Sequence, residues 1–139
     1  MKLLDYSGRL NNHEDYVRVL RRLEEKCRWI EYVLVSDDDS FVKHFQNSVV
    51  SVTKRNKWWG TKSSQKREVY KIKANPEIFN YLRKLETFCL FYPAGDKGDI
   101  AEETSFGYND ISFFDDKELP LLFTTTHEGY IFIRNDLAE

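Results

Sequence analysis

LFTTTHEGYIFIR, residues 122–134, is the stretch on which the reading of this chain turns. Three threonines, a histidine and a glutamate in succession have the composition of an active site, but their order has the chemistry of a turn. Gly129 can take the left-handed conformation that closes a three-residue hairpin loop, His127-Glu128-Gly129, built on a type I turn. The flanking residues are β-branched and aromatic, as strands prefer. This register predicts Thr126 opposite Tyr130 and places Leu121, Phe123, Thr125, Ile131 and Ile133 on one apolar face. His127 and Glu128 then sit at the loop tip, with no third group within sequence reach to orient the imidazole for catalysis. The stretch is read as a C-terminal β-hairpin, and His127 is the one residue around which a small enzyme could be built.

Working outward, residues 111–114 form the strand before this hairpin. The run AGDKGDIAEETSFG, residues 94–107, reads as a long loop. Asn75-Pro76 starts a helix, with Asn as cap and Pro at the first helical position. Ile78, Phe79, Leu82, Leu85 and Cys89 supply its apolar face. Residues 48–53 and 68–73 read as strands joined by a polar, basic connection, and residues 29–35 (WIEYVLV) as a strand buried on both sides. Asp37, Asp38 and Asp39 precede a short helix containing Phe41, Val42 and Phe45, where acidic residues complement the exposed N–H groups. Asn11, with Glu14 three residues on, opens the first helix, whose apolar face is Tyr16, Val19, Leu20, Leu23 and Cys27. The order is helix, strand, helix, two strands, helix, three strands. It predicts a single α+β domain over residues 1–139: a largely antiparallel sheet, about three helices packed on it, and a C-terminal β-hairpin.

The totals agree with a folded domain. Of 139 residues, 41% are hydrophobic and 15% aromatic, too many for a disordered chain. No apolar run approaches the roughly 18 to 20 residues of a spanning helix, and the N-terminus lacks a secretory signal, so a cytoplasmic location and no membrane partner are expected. Cys27 and Cys89 fit that setting as free, buried thiols. The three histidines and two cysteines have no metal-ligand spacing, and no phosphate loop or nucleophile elbow is present, so neither a metal nor a cofactor is expected.

Charge is divided unevenly along the chain. Residues 54–73 hold eight Lys/Arg against one Glu, whereas residues 93–139 hold eleven Asp/Glu against three Lys/Arg. The acidic region offers Asp96, Asp99, Glu102, Glu103, Asp110, Asp115, Asp116 and Glu118 as a surface for one basic protein partner, charge selecting the partner and speeding encounter. The basic region, with Lys54, Arg55, Lys57, Trp58, Trp59 and Lys62, joins cations that attract phosphate to rings that stack on bases or anchor a protein interface.

KWWGT (57–61), VYKIKA (69–74), FGYNDI (106–111) and PLLFTTTHEGYI (120–131) together resemble short bacterial proteins labelled stage III sporulation protein AH-like, and small immunity proteins of polymorphic toxin systems. The immunity-type resemblance implies a cytoplasmic, non-catalytic binder that neutralises a cognate toxin, and the acidic region is compatible with a basic one. The leading expectation is therefore a non-catalytic protein-binding domain. A nucleic-acid-binding module using residues 54–73 is the alternative, and a small enzyme near His127 the third reading.

Overall fold

The protein is described from a computed structural model that covers residues 2–93, 99–102 and 107–138. In chain order its elements are β1 (Leu3–Asp5), α1 (His13–Lys26), β2 (Trp29–Val33), α2 (Ser40–His44), β3 (Val49–Trp58), β4 (Thr61–Lys73), α3 (Pro76–Arg83), β5 (Leu90–Pro93), β6 (Asp99–Glu102), β7 (Asp110–Phe114), β8 (Pro120–Thr125) and β9 (Tyr130–Arg134). Seven strands form one antiparallel sheet in the order β1-β9-β8-β7-β2-β4-β3, and β5 pairs with β6 separately. The α+β domain and its C-terminal hairpin are as the sequence predicts. No described helix is long and apolar enough to cross a membrane.

The helices cover one face of the sheet. Tyr16, Val19, Leu20 and Leu23 of α1, Phe41 and Val42 of α2, and Ile78, Phe79 and Leu82 of α3 close over Ile30, Tyr32, Ile72, Ile111, Phe113, Leu122, Ile131 and Ile133. Each residue left exposed in this interlocked core would forfeit about 1.5–3 kcal/mol of burial, so the periodic apolar faces dictate which side of each element turns inward. Two helix starts are set by asparagine. Asn75 caps α3 by accepting the N–H of Ile78, at 3.1 Å. The cap of α1 is Asn12, one residue later than the sequence pattern suggests, and it accepts from Glu14 N at 2.8 Å.

Other boundaries also move. Helix α3 ends at Arg83, so Leu85 and Cys89 are not on its face. The chain leaves the helix in a turn, where Leu85 N–H reaches Leu82 O, and this drops Phe88 and Cys89 into the core. β1 is not legible in the sequence, being three residues long and defined only by pairing with β9. Part of the expected 94–107 loop is strand β6.

The C-terminal hairpin shows the sharpest difference. Thr125, not Thr126, stands opposite Tyr130, and residues 126–128 form a 3₁₀ turn closed by Gly129 at φ 73°. Side chains alternate along a strand, so a one-residue slip exchanges the faces. Ile131 and Ile133 therefore lie opposite Thr124 and Leu122 on the helix-covered side, while Phe123 lies opposite Phe132, stacked at 5.3 Å, on the other. Thr124 is drawn inward because its hydroxyl accepts the N–H of Ile111 at 3.1 Å.

The residues read as a connection between two strands are themselves strand. β3 and β4 make one long hairpin closed by Trp59 and Gly60. β4 pairs with β2 only over residues 69–73, after which the hairpin continues as a two-stranded ribbon. Arg55 opposes Arg67, yet Lys57 opposes Lys62. Four residues of β4, 63–66, thus stand against the single Asn56 of β3, and a bulge bends and twists a ribbon. The ribbon folds back over the sheet face that the helices leave open.

Candidate nucleic-acid interface under the hairpin arch

The tip of the arch reaches across β2 and β7 to β8. Gly60, at φ +84°, lies so close to β8 that a Cβ there would be 2.8 Å from the Phe123 ring and 2.9 Å from Thr125 Oγ1. Trp58 turns inward and is packed with Val33 and Val69 in a second apolar cluster. Its indole N–H donates to Asp110 Oδ2 at 2.9 Å. Trp59 turns outward, 42% exposed, with its ring 5.8 Å from Phe123. Adjacent strand residues point to opposite faces, and here that rule assigns one tryptophan to structure and one to the surface.

Beneath the arch is a groove of about 830 Å³ lined by Glu31, Arg55, Lys57, Trp58, Trp59, Gly60, Thr61, Lys62, Phe114 and Glu118. Such a volume is in the range of small-ligand sites. Its carboxylates are matched by cations: Glu31 with Arg55 at 2.9 Å, and Glu118 with Lys71 at 2.6 Å. Lys71 is also held 4.6 Å over the Trp29 ring. Lys57 and Lys62 face each other across the hairpin, and neither has an ion-pair partner among the described residues. Like charges directly opposite each other destabilise a strand pair, so this position is one that an anion would relieve. Of the basic and aromatic residues expected at a site, Arg55, Lys57, Trp58, Trp59 and Lys62 come together here. Lys54 lines a separate cleft of about 500 Å³ beside Lys66, Arg67 and Glu68.

The acidic candidates do not assemble into one surface among the described residues. Asp110 is a correction: it is fully buried, not a docking residue. It accepts from Trp58 and from Thr126 N at 2.8 Å. Desolvation pushes its carboxyl above the usual range, against the opposing pull of those two bonds and of His127. Asp115 is bound to Arg134 at 2.7 Å and is nearly covered. Glu118 is committed to Lys71, while Asp116 is exposed. Asp99 and Glu102 lie on β6. Asp96 and Glu103 fall outside the described residues. No pattern in the sequence distinguishes Asp110 from its solvated neighbours, since its burial depends on a tryptophan 52 positions away.

His127 lies on the 3₁₀ turn, half-exposed, with Nε2 3.8 Å from Glu128 Oε1. A carboxylate on another strand, Asp110, is near enough to feel its charge. However, Asp110 is sealed from solvent, and neither residue lines the groove. Cys27 and Cys89 are free and buried, and burial pushes both thiols up to about 12, the opposite of what a nucleophilic thiolate requires.

Comparison of the chain with protein-family models, with curated proteins and with solved structures finds no match.

Proposed function

We propose that this protein is a non-catalytic binding module that holds a single-stranded nucleic-acid segment in the groove under the β3–β4 arch. The observation that carries the reading is the pair Lys57 and Lys62, opposed across the hairpin beside the exposed face of Trp59. A phosphate between the two ammonium groups answers their mutual repulsion, and a base stacks on the indole, which every base can do through its π-face. The ring contact with Phe123 backs Trp59 from behind, so stacking costs little side-chain freedom. The groove is a single concavity beside one ribbon, of a size that one flexible strand can follow.

Titration with short single-stranded DNA and RNA, read by tryptophan fluorescence, tests the proposal. A complex that weakens steeply with salt is expected. No complex at low salt would overturn it. A domain that instead neutralises a basic protein toxin, as the immunity-type resemblance implies, would give no oligonucleotide complex and would lose its partner when exposed Asp116 is reversed in charge.

A further inference from the structure

The arch covers polar groups that water would stabilise. Asp110 carries a carboxyl group at zero exposure with no Lys or Arg bound to it among the described residues; its two oxygens take the Trp58 indole N–H and the Thr126 amide. Arg55 Nε and Thr61 Oγ1, both in the ribbon, are buried with no hydrogen-bond partner among the described residues. A buried polar group without a partner has lost the hydration it would have in water, and lifting the tip would give water access to Asp110 and Thr61. The ribbon also has a place to bend, at the polar bulge of Ser63, Ser64, Gln65 and Lys66 opposite Asn56. Its tip meets the sheet through the Trp58 indole, bonded to Asp110 and packed with Val33 and Val69, through the Gly60 and Trp59 approaches to Phe123, and through a 3.4 Å bond from Thr125 Oγ1 to Gly60 O, and those contacts must part for it to lift.

We infer that the β3–β4 tip is a clamp, hinged at residues 63–66 and latched by Asp110 through Trp58, which opens to admit a strand and closes over it. The clamp rests on the groove being the binding site, but its opening is a property of the free protein. It also responds to pH. Asp110 takes hydrogen bonds from Trp58 on β3 and Thr126 on the 3₁₀ turn, and the titratable groups close enough to couple to its charge are His127 and Glu128 on that turn, Tyr32 on β2 and Cys89 before β5. Burial raises the carboxyl pKa in the closed form, and hydration returns it towards the ordinary value in the open form. Protonation of Asp110 therefore favours the closed clamp and its ionisation the open one.

Amide hydrogen exchange without ligand tests this. Residues 56–62 should show protection about tenfold or more below residues 69–73, through opening short of global unfolding. After correction for intrinsic rates, tip protection should rise as pH is lowered towards the ordinary carboxylate range, because a raised carboxyl begins to take up its proton above that range. Trp58→Phe keeps the ring but removes the donor, and should lower tip protection at every pH. Asp110→Asn should abolish the pH response, while unchanged protection in β2 and β7 shows that each variant is folded. Tip amides that exchange only with global unfolding in wild type and W58F alike would overturn the clamp, as would an undiminished pH response in D110N. Failure of oligonucleotides to bind would sink the functional proposal and leave these readings intact.

Discussion

Asp115 Oδ2 takes the Arg134 guanidinium at 2.7 Å, while Asp115 Oδ1 accepts the backbone N–H groups of Lys117 and Leu119 at 2.9 and 3.0 Å. One carboxylate thus closes the β7–β8 turn and ties it to the far end of β9. Arg134 also holds Asp136, which Lys26 of α1 approaches from the other side at 2.9 Å. Charges that look available for a partner when counted along the chain are engaged in joining its ends.

Asp115→Asn should therefore lower stability by about 1–3 kcal/mol in denaturant titration at pH 7, because it leaves a largely covered Arg134 with one carboxylate fewer. Oligonucleotide binding should be unchanged. If stability holds and a protein partner is lost instead, Asp115 is a docking residue.

The same pair sets an acid dependence. Burial raises the Asp115 carboxyl, but bonds from Arg134, Leu119 and Lys117 outweigh it and hold it below the ordinary range. Bonding to Arg134 depresses Asp136 further. A depressed folded pKa contributes stability above the unfolded value, about 3.9, that is lost as pH falls through the folded one. The stability gap between wild type and D115N should be full at pH 6 and shrink steadily below about pH 4. A gap constant down to pH 2 would show that the ion pair contributes nothing.

Gly60→Ala should loosen the arch. The residue sits at φ +84°, where a side chain costs about 1 kcal/mol or more. Its Cβ would also press on the Phe123 ring. Weaker oligonucleotide binding with a folded sheet is expected. Full binding by G60A would mean the tip need not approach β8.

At the groove, Trp59→Ala should weaken oligonucleotide binding by about 1–3 kcal/mol, the worth of one stacked base. Lys57→Gln with Lys62→Gln should lower the salt slope by about 0.7 for each phosphate that the variant no longer neutralises. An unaltered slope in the double variant would place the phosphates elsewhere.

Asn109 is wholly buried and fully engaged. Its Oδ1 accepts from Val35 N, Ser36 N and Ser36 Oγ at 2.8, 2.9 and 3.1 Å, and its Nδ2 donates to Tyr32 Oη and Asp38 O. Asn109→Ala should cost about 2–4 kcal/mol by stranding buried donors. Asn109→Asp should do no better, since a carboxylate cannot donate to Asp38 O. Thermal unfolding near wild type for either variant would refute this network.

Most of what neighbours along the chain govern is legible in the sequence, to within a residue or a turn at the element ends. The 3.6-residue spacing of Tyr16, Val19, Leu20 and Leu23, the asparagine-proline start at Asn75, and the left-handed Gly129 each specify a local conformation. They are enough for helices, strands, the α+β class and the presence of a C-terminal hairpin. The remainder depends on what each strand meets across space, and only the assembled sheet decides it. The hydroxyl of Thr124 and the turn at 126–128 settle the hairpin register, turning Phe123 away from the helices. A bulge of residues 63–66 makes an arch from what reads as a connection. That arch separates two adjacent tryptophans, brings Lys57 against Lys62, and buries Asp110 among residues distant in the chain. Local propensity is written residue by residue, whereas charge pairing, burial and strand register are properties of contacts that form only when the sheet is complete.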